Sequence, residues 1–423
     1  MADRRVLMLT AAWPPIGRAS TRRVLRLARR LPALGWAPTI LTPALETHPW
    51  SDDSTWDETF VVPPVPVHHV PGLMPSWRVR RAARRGLEGL GLGRLGSLVW
   101  RGTRGLPFPD HFSEWALPAV RAARALPTPD VVWVTGGPFG IFVPALAIAR
   151  ALDRPLVLDY RDPWTEHPLY PTAPVHAPRP LYVALERVIV ARASGIAYVN
   201  EAIRDWHRDH FDVPPAIAVI PNGYAEEDVR SAPPIVPARP TLLYAGGSYV
   251  GRDMTGVLHA LAEGFGPGDT GLQYQIFSDL DRETRAELAA LAPKLAGRVA
   301  VHAPVDNATI AGHLQGASAL YIVIAPQHLS AMTAKIFDYL AAGRPILGYG
   351  PPGAEVERAL QAWGVGRYVH AGDRAGLIAA LREVEAGALP YAPNAAALAP
   401  WSADRLGEDT AALLDRVVSS PRR

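Results

Sequence analysis

Short apolar segments alternate with helical patterns along most of this 423-residue chain, and the alternation occurs twice. Apolar strands separated by helices are typical of parallel sheets, because a parallel pair needs a crossover connection and both faces of the sheet are then covered. A proline-rich stretch at residues 231–240 interrupts the pattern before it starts again. The sequence therefore predicts an α/β fold with two doubly wound, Rossmann-like domains that face each other across a cleft.

Each half of the chain contributes its own set of predicted elements. Residues 20–34 have apolar side chains on one helical face, and residues 403–418 form a closing helix beyond the last strand. The predicted domains are 1–230 and 231–400, followed by the separate segment 401–423. The predicted strands are 6–10, 39–42, 67–70, 131–135, 156–159, 195–199, 242–244, 274–277, 299–303, 319–324, 346–348 and 366–369.

Composition excludes several classes of protein. Hydrophobic residues make up 48% of the chain and charged residues 20%, which are values of globular rather than disordered proteins. The net charge of +3 is too small to predict nucleic-acid binding. The absence of cysteine removes disulfides, thiolate nucleophiles and cysteine-type zinc sites, and it fits a reducing compartment.

Two segments bear on the relation to membranes. The segment after Arg4 resembles a short signal peptide, but it runs into Trp13 without a small-residue cleavage site, which favours a buried first strand and a cytoplasmic protein. Residues 76–104 carry eight arginines and one glutamate among aromatic and aliphatic residues. Such a basic amphipathic segment predicts either peripheral docking on anionic lipid or a solvated or acceptor-site role.

A helix start with one cation and one anion follows the strand predicted at 319–324. Thr333, Ala334 and Lys335 begin this helix, where free backbone N–H groups and the positive end of the helix dipole suit a diphosphate. Asp338 lies on nearly the same face and can accept hydrogen bonds from ribose hydroxyls. These residues indicate a nucleotide-diphosphate site. The alternative is an ordinary strand–helix–strand unit with a solvated Lys–Asp pair.

Six segments occur in the order and with the spacings of one enzyme family. They are 13–17, 130–137, 158–164, 220–223, 244–247 with 251–252, and 335–340. With them the chain resembles, over nearly its whole length, the retaining, metal-independent GT-B glycosyltransferases of the large bacterial nucleotide-sugar-dependent family, specifically a family 4-like branch that contains the sequence R-D-P-W. In this family the C-terminal helix, here within 401–423, crosses back onto the first domain.

The resemblance implies a function as well as a fold. It implies transfer of a hexose or a related sugar from a nucleoside-diphosphate sugar to a small-molecule or glycan acceptor, through a hydroxyl, an amine or a thiol. The first domain would bind the acceptor and the second the donor. We expect antibiotic or envelope-glycan biosynthesis as the setting.

The resemblance also assigns residues to the donor diphosphate. The backbone of Gly17 and the turn Gly246–Gly247 approach the phosphates, where a side chain would obstruct them. Arg252 neutralises the diphosphate leaving group. The family's lysine five residues later is Val257 in this chain, so either Lys335 supplies the missing charge or the phosphates are held differently.

Two further family positions differ in this chain. Asp338 replaces the glutamate that binds the ribose, and the other glutamate of that motif falls at Ser330. The family's catalytic-region histidine is absent, and its place at the end of a first-domain strand is taken by Asp159, Arg161 and Asp162. These three residues are the candidates for polar chemistry in the cleft.

The same segment has a structural alternative. Arg161 tied to a neighbouring carboxylate would form a supporting network instead of acting in catalysis. On the acceptor side, the resemblance points to Gly136, Gly137 and Trp164.

One further motif bears on metal binding, and the departures from the family pattern bear on other activities. Asp279 and Asp281 form a D-x-D sequence that binds a metal in the other glycosyltransferase fold, but here it joins a strand to a helix, which favours helix capping. We therefore expect no metal and no cofactor, with the nucleotide sugar as the donor substrate. The missing glutamate, histidine and lysine leave two alternatives, a non-catalytic partner subunit of this fold and a nucleotide-sugar epimerase.

Overall fold

The computed structural model describes most of the chain, and the described residues form two compact units. The first unit comprises the described residues of Met1–Glu58, Val62–Asn222 and Ala403–Arg423, and the second comprises those of Thr59–Val61 and Gly223–Ser402. The described residues are 4–17, 19–48, 57, 59–73, 86, 89–90, 108–166, 178–247, 253–266, 271–295, 297–329 and 332–420.

Seven parallel strands, counted over the described residues, form the sheet of the first unit. They are β1 (Arg4–Leu9), β2 (Trp36–Pro43), β3 (Val67–Val70), β4 (Val131–Thr135), β5 (Leu156–Tyr160), β6 (Gly195–Tyr198) and β7 (Ala216–Val219). Their order in the sheet is β3-β2-β1-β4-β5-β6-β7. The helices along this part of the chain are α1 (Ala19–Arg30), α2 (Ala116–Arg124), α3 (Phe142–Leu152), α4 (Arg179–Val190) and α5 (Glu201–His210).

The second unit repeats this plan with six described strands, again all parallel. They are β8 (Thr241–Ala245), β9 (Gln273–Phe277), β10 (Val299–His302), β11 (Ala319–Val323), β12 (Ile346–Gly350) and β13 (Gly366–His370), in the order β10-β9-β8-β11-β12-β13. Its helices are α6 (Glu227–Arg230), α7 (Gly256–Gly264), α8 (Arg282–Leu295), α9 (Asn307–Gly316), α10 (Ala334–Ala342), α11 (Glu355–Trp363), α12 (Arg374–Glu385) and α13 (Ala395–Leu398).

The strand order reverses at an equivalent place in each sheet. β1 lies between β2 and β4, and β8 lies between β9 and β11. In doubly wound folds, ligands bind outside the carboxyl ends of the strands at this point. The topology therefore confirms the predicted α/β fold and singles out the loops after β1 and β4 in the first unit and after β8 and β11 in the second.

The C-terminal helix α14 (Ala403–Ser419) belongs to the first unit. Its Asp415 accepts a hydrogen bond from Trp36 Nε1 at 2.9 Å. Gly195 at the start of β6 leaves room for the helix, because a Cβ at that position would lie 2.5 Å from Val417 Cγ2. Since α14 buries its apolar face here, the chain returns to its first unit after completing the second.

Every strand that the sequence predicts is present, and β3 and β4 have the predicted bounds. β7 has no counterpart among the predicted strands, because it is short and only Ala216 of its four residues is fully buried. The helix predicted at 20–34 ends at Arg30 and continues as a 3₁₀ turn that contains Pro32. Proline lacks an N–H and so favours this change in the last turn.

The proline-rich stretch at 231–240 lies within the second unit rather than between the two units. Ile235 N donates to Gly312 O at 2.9 Å. A Cβ on Gly316 would lie 1.9 Å from Ile235 O, so the glycine permits this close approach. The stretch therefore packs along α9, and the chain passes from one unit to the other at Asn222–Gly223.

Candidate functional site

A glycine turn follows β8 at the point where the strand order of the second unit reverses. Gly246 has a φ of +118°, which favours glycine over residues with a side chain. A Cβ at Gly246 would lie 2.4 Å from Lys335 Cε and 2.7 Å from Lys335 Nζ. The backbone conformation therefore favours glycine here, and the missing side chain leaves room for the end of the Lys335 side chain.

Lys335 lies across this turn and is held by a tyrosine. Its Nζ donates to Tyr244 Oη at 2.6 Å and lies 4.0 Å from the centroid of the Tyr244 ring. Tyr244 Oη in turn donates to Gly247 O at 2.8 Å. The contact with the ring adds a cation–π attraction to the hydrogen bond. Tyr244 therefore helps to hold the ammonium group at the carboxyl end of β8.

The same lysine is the second residue of α10, whose N-terminus faces the end of the sheet. Thr333 is the residue before the helix, and its hydroxyl is buried and has no hydrogen-bond partner in the described structure. No acidic residue lies in the first turn of α10. Asp338 is half-buried one turn further on. Backbone N–H groups and a cation therefore meet at one helix start, as the sequence predicts for an anion site.

Tyr339 ties α10 to the strand that precedes the glycine turn. Its Oη accepts from Ala245 N at 3.2 Å and donates to Tyr321 O at 3.2 Å, which joins β8 and β11. The helix start and the turn are therefore fixed relative to each other by a buried hydroxyl.

Arg252 and Ser330 lie outside the described residues, and the assignment of Arg252 stays a prediction. The next residue along the chain, Asp253, accepts from Thr255 N and Gly256 N, both at 3.0 Å, and so anchors the loop at the start of α7. Val257 is fully buried in the core of the second unit. A valine fits that place, and a lysine with its charge would not.

The D-x-D sequence caps a helix, as the sequence analysis favours. Asp281 Oδ1 accepts from Thr284 N, and its Oδ2 accepts from Thr284 Oγ1, both at 2.8 Å. Asp281 thus satisfies the first turn of α8, whereas Asp279 is exposed. Over the described residues, no group of three or more His, Cys, Asp or Glu residues is arranged to hold a metal ion.

In the first unit, Asp159 at the end of β5 forms a buried ion pair. It is fully buried and accepts two hydrogen bonds from the guanidinium of Arg23, at 2.9 and 2.7 Å. Arg23 also donates to Pro221 O at 2.9 Å and to Ile220 O at 3.1 Å. The buried ion pair gives Asp159 a supporting role in the structure, and its catalytic role stays a prediction.

Arg161 joins two loops at the carboxyl edge of the sheet. Its Nε donates to Thr135 Oγ1 at 2.8 Å, and its Nη2 donates to the carbonyl oxygens of Gly136 and Gly137, the latter at 2.8 Å. The partners are a hydroxyl and two carbonyls, not the carboxylate that the structural alternative expects. Arg161 therefore fixes the loop after β4 to the segment after β5.

Asp162 is the exposed carboxylate of this segment. Gly137 has a φ of +76°, and a Cβ there would lie 3.0 Å from both Asp162 Oδ2 and Arg161 Nη2. The glycine therefore makes room for both side chains. Of the two carboxylates in the segment, Asp162 is exposed and Asp159 is buried, so Asp162 is the one able to meet a substrate.

Trp164 packs in the core of the first unit. It is 2% exposed, and its ring stacks on Phe139 with centroids 5.0 Å apart and an interplanar angle of 9°. Gly136 is confined by the same cluster, since a Cβ there would lie 2.7 Å from Phe139 and 2.6 Å from Phe142. Trp164 thus has a packing role in the structure, and its acceptor role stays a prediction.

Gly17 lies in the loop that connects β1 to α1, at the switch point of the first unit. The loop is closed by a hydrogen bond from Ile16 N to Trp13 O at 2.9 Å and by one from Thr21 Oγ1 to Ile16 O at 2.7 Å. The approach of Gly17 to a diphosphate stays a prediction.

Arg23 and Tyr244 are two of the residues with structural roles at these sites that the sequence patterns do not single out. Arg23 is four residues before Leu27 on the apolar face of α1, and a cation on such a face is a signal for a buried acidic partner. In the sequence, Tyr244 is indistinguishable from the other apolar residues of its predicted strand. Its hydroxyl contact with Lys335 spans 91 positions and leaves no local signal.

Most of the basic segment at 76–104 lies outside the described residues, so membrane docking stays a prediction. In the part of the chain that the structure covers, no helix combines the length and the apolar character required to cross a membrane.

Residues 18–223 match the family model described as a Glycosyl transferase 4-like domain. No curated protein matches the sequence. Solved structures share the fold at low sequence identity. The Anabaena protein Alr3699/HepE in complex with UDP-glucose is 12% identical with a TM-score of 0.59, and the match covers 97% of this chain and 99% of that one.

Two further solved structures show the same likeness. Sucrose-phosphate synthase from Thermosynechococcus elongatus is 13% identical with a TM-score of 0.56, over 98% of this chain and 95% of that one. WaaG, a glycosyltransferase involved in lipopolysaccharide biosynthesis, is 14% identical with a TM-score of 0.55, over 98% of both chains. Residues 18–223 are thus similar to that family model, and the two doubly wound units share the fold of these solved structures.

Proposed function

We propose that the protein moves a hexose or a related sugar from a nucleoside diphosphate to a hydroxyl, amine or thiol of a small-molecule or glycan acceptor. The second unit binds the donor, and the first unit binds the acceptor. The observation that carries the proposal is the ammonium group of Lys335, held over the glycine turn at the start of α10. Retention of configuration and independence of metal and cofactor belong to the same proposal.

A diphosphate fits this arrangement because two kinds of positive potential meet there. The N-terminus of a helix contributes about 0.3–1 kcal/mol to binding of a negative group near the surface. A hydrogen bond to a charged group contributes about 1.5–3 kcal/mol. The lysine therefore contributes more to binding than the helix start does, and it takes the place of the cation that the fully buried Val257 cannot supply.

The leaving group and the ribose complete the donor site in this proposal. Arg252 stabilises the negative charge that develops on the departing diphosphate, and it does so without a metal ion. Asp338, on the same helix as Lys335, accepts from the ribose hydroxyls.

Asp162 is the proposed catalytic residue of the first unit. It is exposed, whereas Arg161 and Asp159 hold the segment that carries it. A carboxylate in this position can orient the acceptor or accept its proton, and groups of this kind contribute about 10²–10⁴-fold to rate. Arg161 and Asp159 thus contribute to transfer by positioning Asp162.

Incubation with a panel of nucleotide sugars, with and without acceptors, tests the proposal. A transferase releases the nucleoside diphosphate in an acceptor-dependent way and forms a glycosylated product. A non-catalytic partner subunit releases none alone, and an epimerase isomerises the sugar without an acceptor. The proposed setting is the cytoplasmic biosynthesis of an antibiotic or an envelope glycan.

A further inference from the structure

A group of buried polar side chains lies behind the segment that carries Asp162. Glu186 and His207 are both fully buried, and Glu186 Oε1 lies 3.4 Å from His207 Nε2. His207 Nδ1 is 3.3 Å from Tyr198 Oη. Buried polar groups are costly unless they are satisfied. Glu186 Oε1 and His207 Nε2 have no hydrogen-bond partner in the described structure, so the hydrogen bonds of the other polar atoms hold the cluster together.

The cluster binds the end of the segment through Thr165. This residue is 2% exposed, and its Oγ1 donates to Glu186 Oε2 at 2.5 Å. Its carbonyl oxygen accepts from Arg179 Nη2 at 2.7 Å. Helix α4 therefore holds Thr165 by its side chain and by its backbone.

The other end of the segment is held independently. Asp159 is paired with Arg23, and Arg161 is bound to the loop after β4. Asp162 therefore lies within a short stretch that is anchored on both sides. After Asp162, the segment is held by the side chain of Thr165. Among the residues described from 163 to 166, Thr165 is the only one whose side chain makes a hydrogen bond.

Burial and the Glu186 carboxylate raise the pKa values of three neighbouring groups. Burial and the nearby Glu186 carboxylate raise the pKa of Tyr160 and of Tyr198, so both phenols stay neutral over the working pH range. Burial and Glu186 also raise the pKa of Glu166. Thr165 donates a hydrogen bond to Glu186, and His207 on α5 and Tyr198 on β6 lie beside this contact.

We propose that Glu186 and Thr165 are positioning residues for sugar transfer, and that their hydrogen bond fixes Asp162 in its working geometry. This inference rests on the proposed function, in which Asp162 is catalytic. Catalytic groups must be held to within about 0.5 Å of the productive geometry. A displacement of about 1 Å costs up to about 10²-fold in rate.

Thr165→Val tests the inference, because it keeps the shape and removes the hydroxyl. We expect a loss of about tenfold or more in kcat with the KM for the nucleotide sugar within about twofold of wild type, since the donor is bound elsewhere. Thr165→Ser restores the hydroxyl and should recover most of the rate. Thr410→Val is the matched control, because Thr410 is also 2% exposed in the first unit and donates one hydrogen bond, to Leu406 O at 2.8 Å.

Hydrogen exchange of the amides at 156–166 provides a readout that does not depend on turnover. Exchange there should accelerate in Thr165→Val and not in Thr165→Ser or Thr410→Val. Unchanged exchange, or a normal kcat in Thr165→Val, would overturn the inference. An inactive wild type would instead overturn the proposed function, while exchange would still decide whether Glu186 and Thr165 hold the segment.

Discussion

Charged side chains have different roles at the carboxyl edges of the two sheets. At the first edge, Asp159 and Arg23 are buried together, and Arg161 is bound by carbonyl groups. At the second edge, Lys335 rests on the neutral phenol of Tyr244 above a glycine turn. The charged side chains of the first edge stabilise its loops, and the second edge places a cation at a helix start. The helix start at the second edge is therefore the proposed anion site.

Removal of Arg23 should give the largest change in stability. Arg23→Ala leaves the carboxylate of Asp159 buried without its partner, and breaking such a pair costs about 3–5 kcal/mol. Chemical unfolding measures this loss, with Arg124→Ala as the control on an exposed arginine of the same unit. Folded Arg23→Ala should still bind nucleoside diphosphate normally. Weakened binding would break the division of roles between the two edges.

Asp162→Asn should have the next largest effect, on turnover. The amide keeps the shape but cannot take a proton, so we expect kcat to fall by at least about 10²-fold. Melting temperature and nucleotide affinity should stay near wild type because the side chain is exposed. If the melting temperature falls and turnover of the folded protein is kept, then the whole segment is structural.

The sequence predicts the second edge better than the first, for a physical reason. The helix start at Lys335 is local, since the cation, Asp338 and the preceding strand lie within twenty residues of each other. The burial of Asp159 depends on Arg23, which is 136 positions away, and no local pattern reports that contact. The bounds of β3 and β4 agree with the predicted ones to the residue, whereas β12, whose five residues are all buried, extends two residues beyond its predicted end at 348.

Asp338→Ala should weaken nucleoside diphosphate binding by about 1–3 kcal/mol, because the ribose hydroxyls lose a charged acceptor. Calorimetry with UDP, GDP and dTDP measures this change. Asp279→Ala is the control, since that aspartate is exposed near a strand end in the same unit. Equal affinity of Asp338→Ala and wild type would remove this residue from the donor site.

Removal of divalent metal should have the smallest effect. Cationic side chains and backbone N–H groups neutralise the diphosphate in this account, so transfer should survive excess EDTA at close to its full rate. Loss of activity on chelation, with recovery on addition of Mn²⁺ or Mg²⁺, would contradict the proposal and return attention to Asp279 and Asp281.

The chain contains only two lysines, Lys294 and Lys335, and this provides a direct test of the second edge. Lys294 is exposed on α8, so Lys294→Met is a matched control for Lys335→Met. Titration of both variants with the nucleoside diphosphate that wild type binds is the decisive measurement. We expect Lys335→Met to raise Kd by about 10–100-fold, the value of a lost charged hydrogen bond, and Lys294→Met to leave it unchanged. Equal Kd values for the two variants would contradict the assignment of the donor diphosphate to the start of α10.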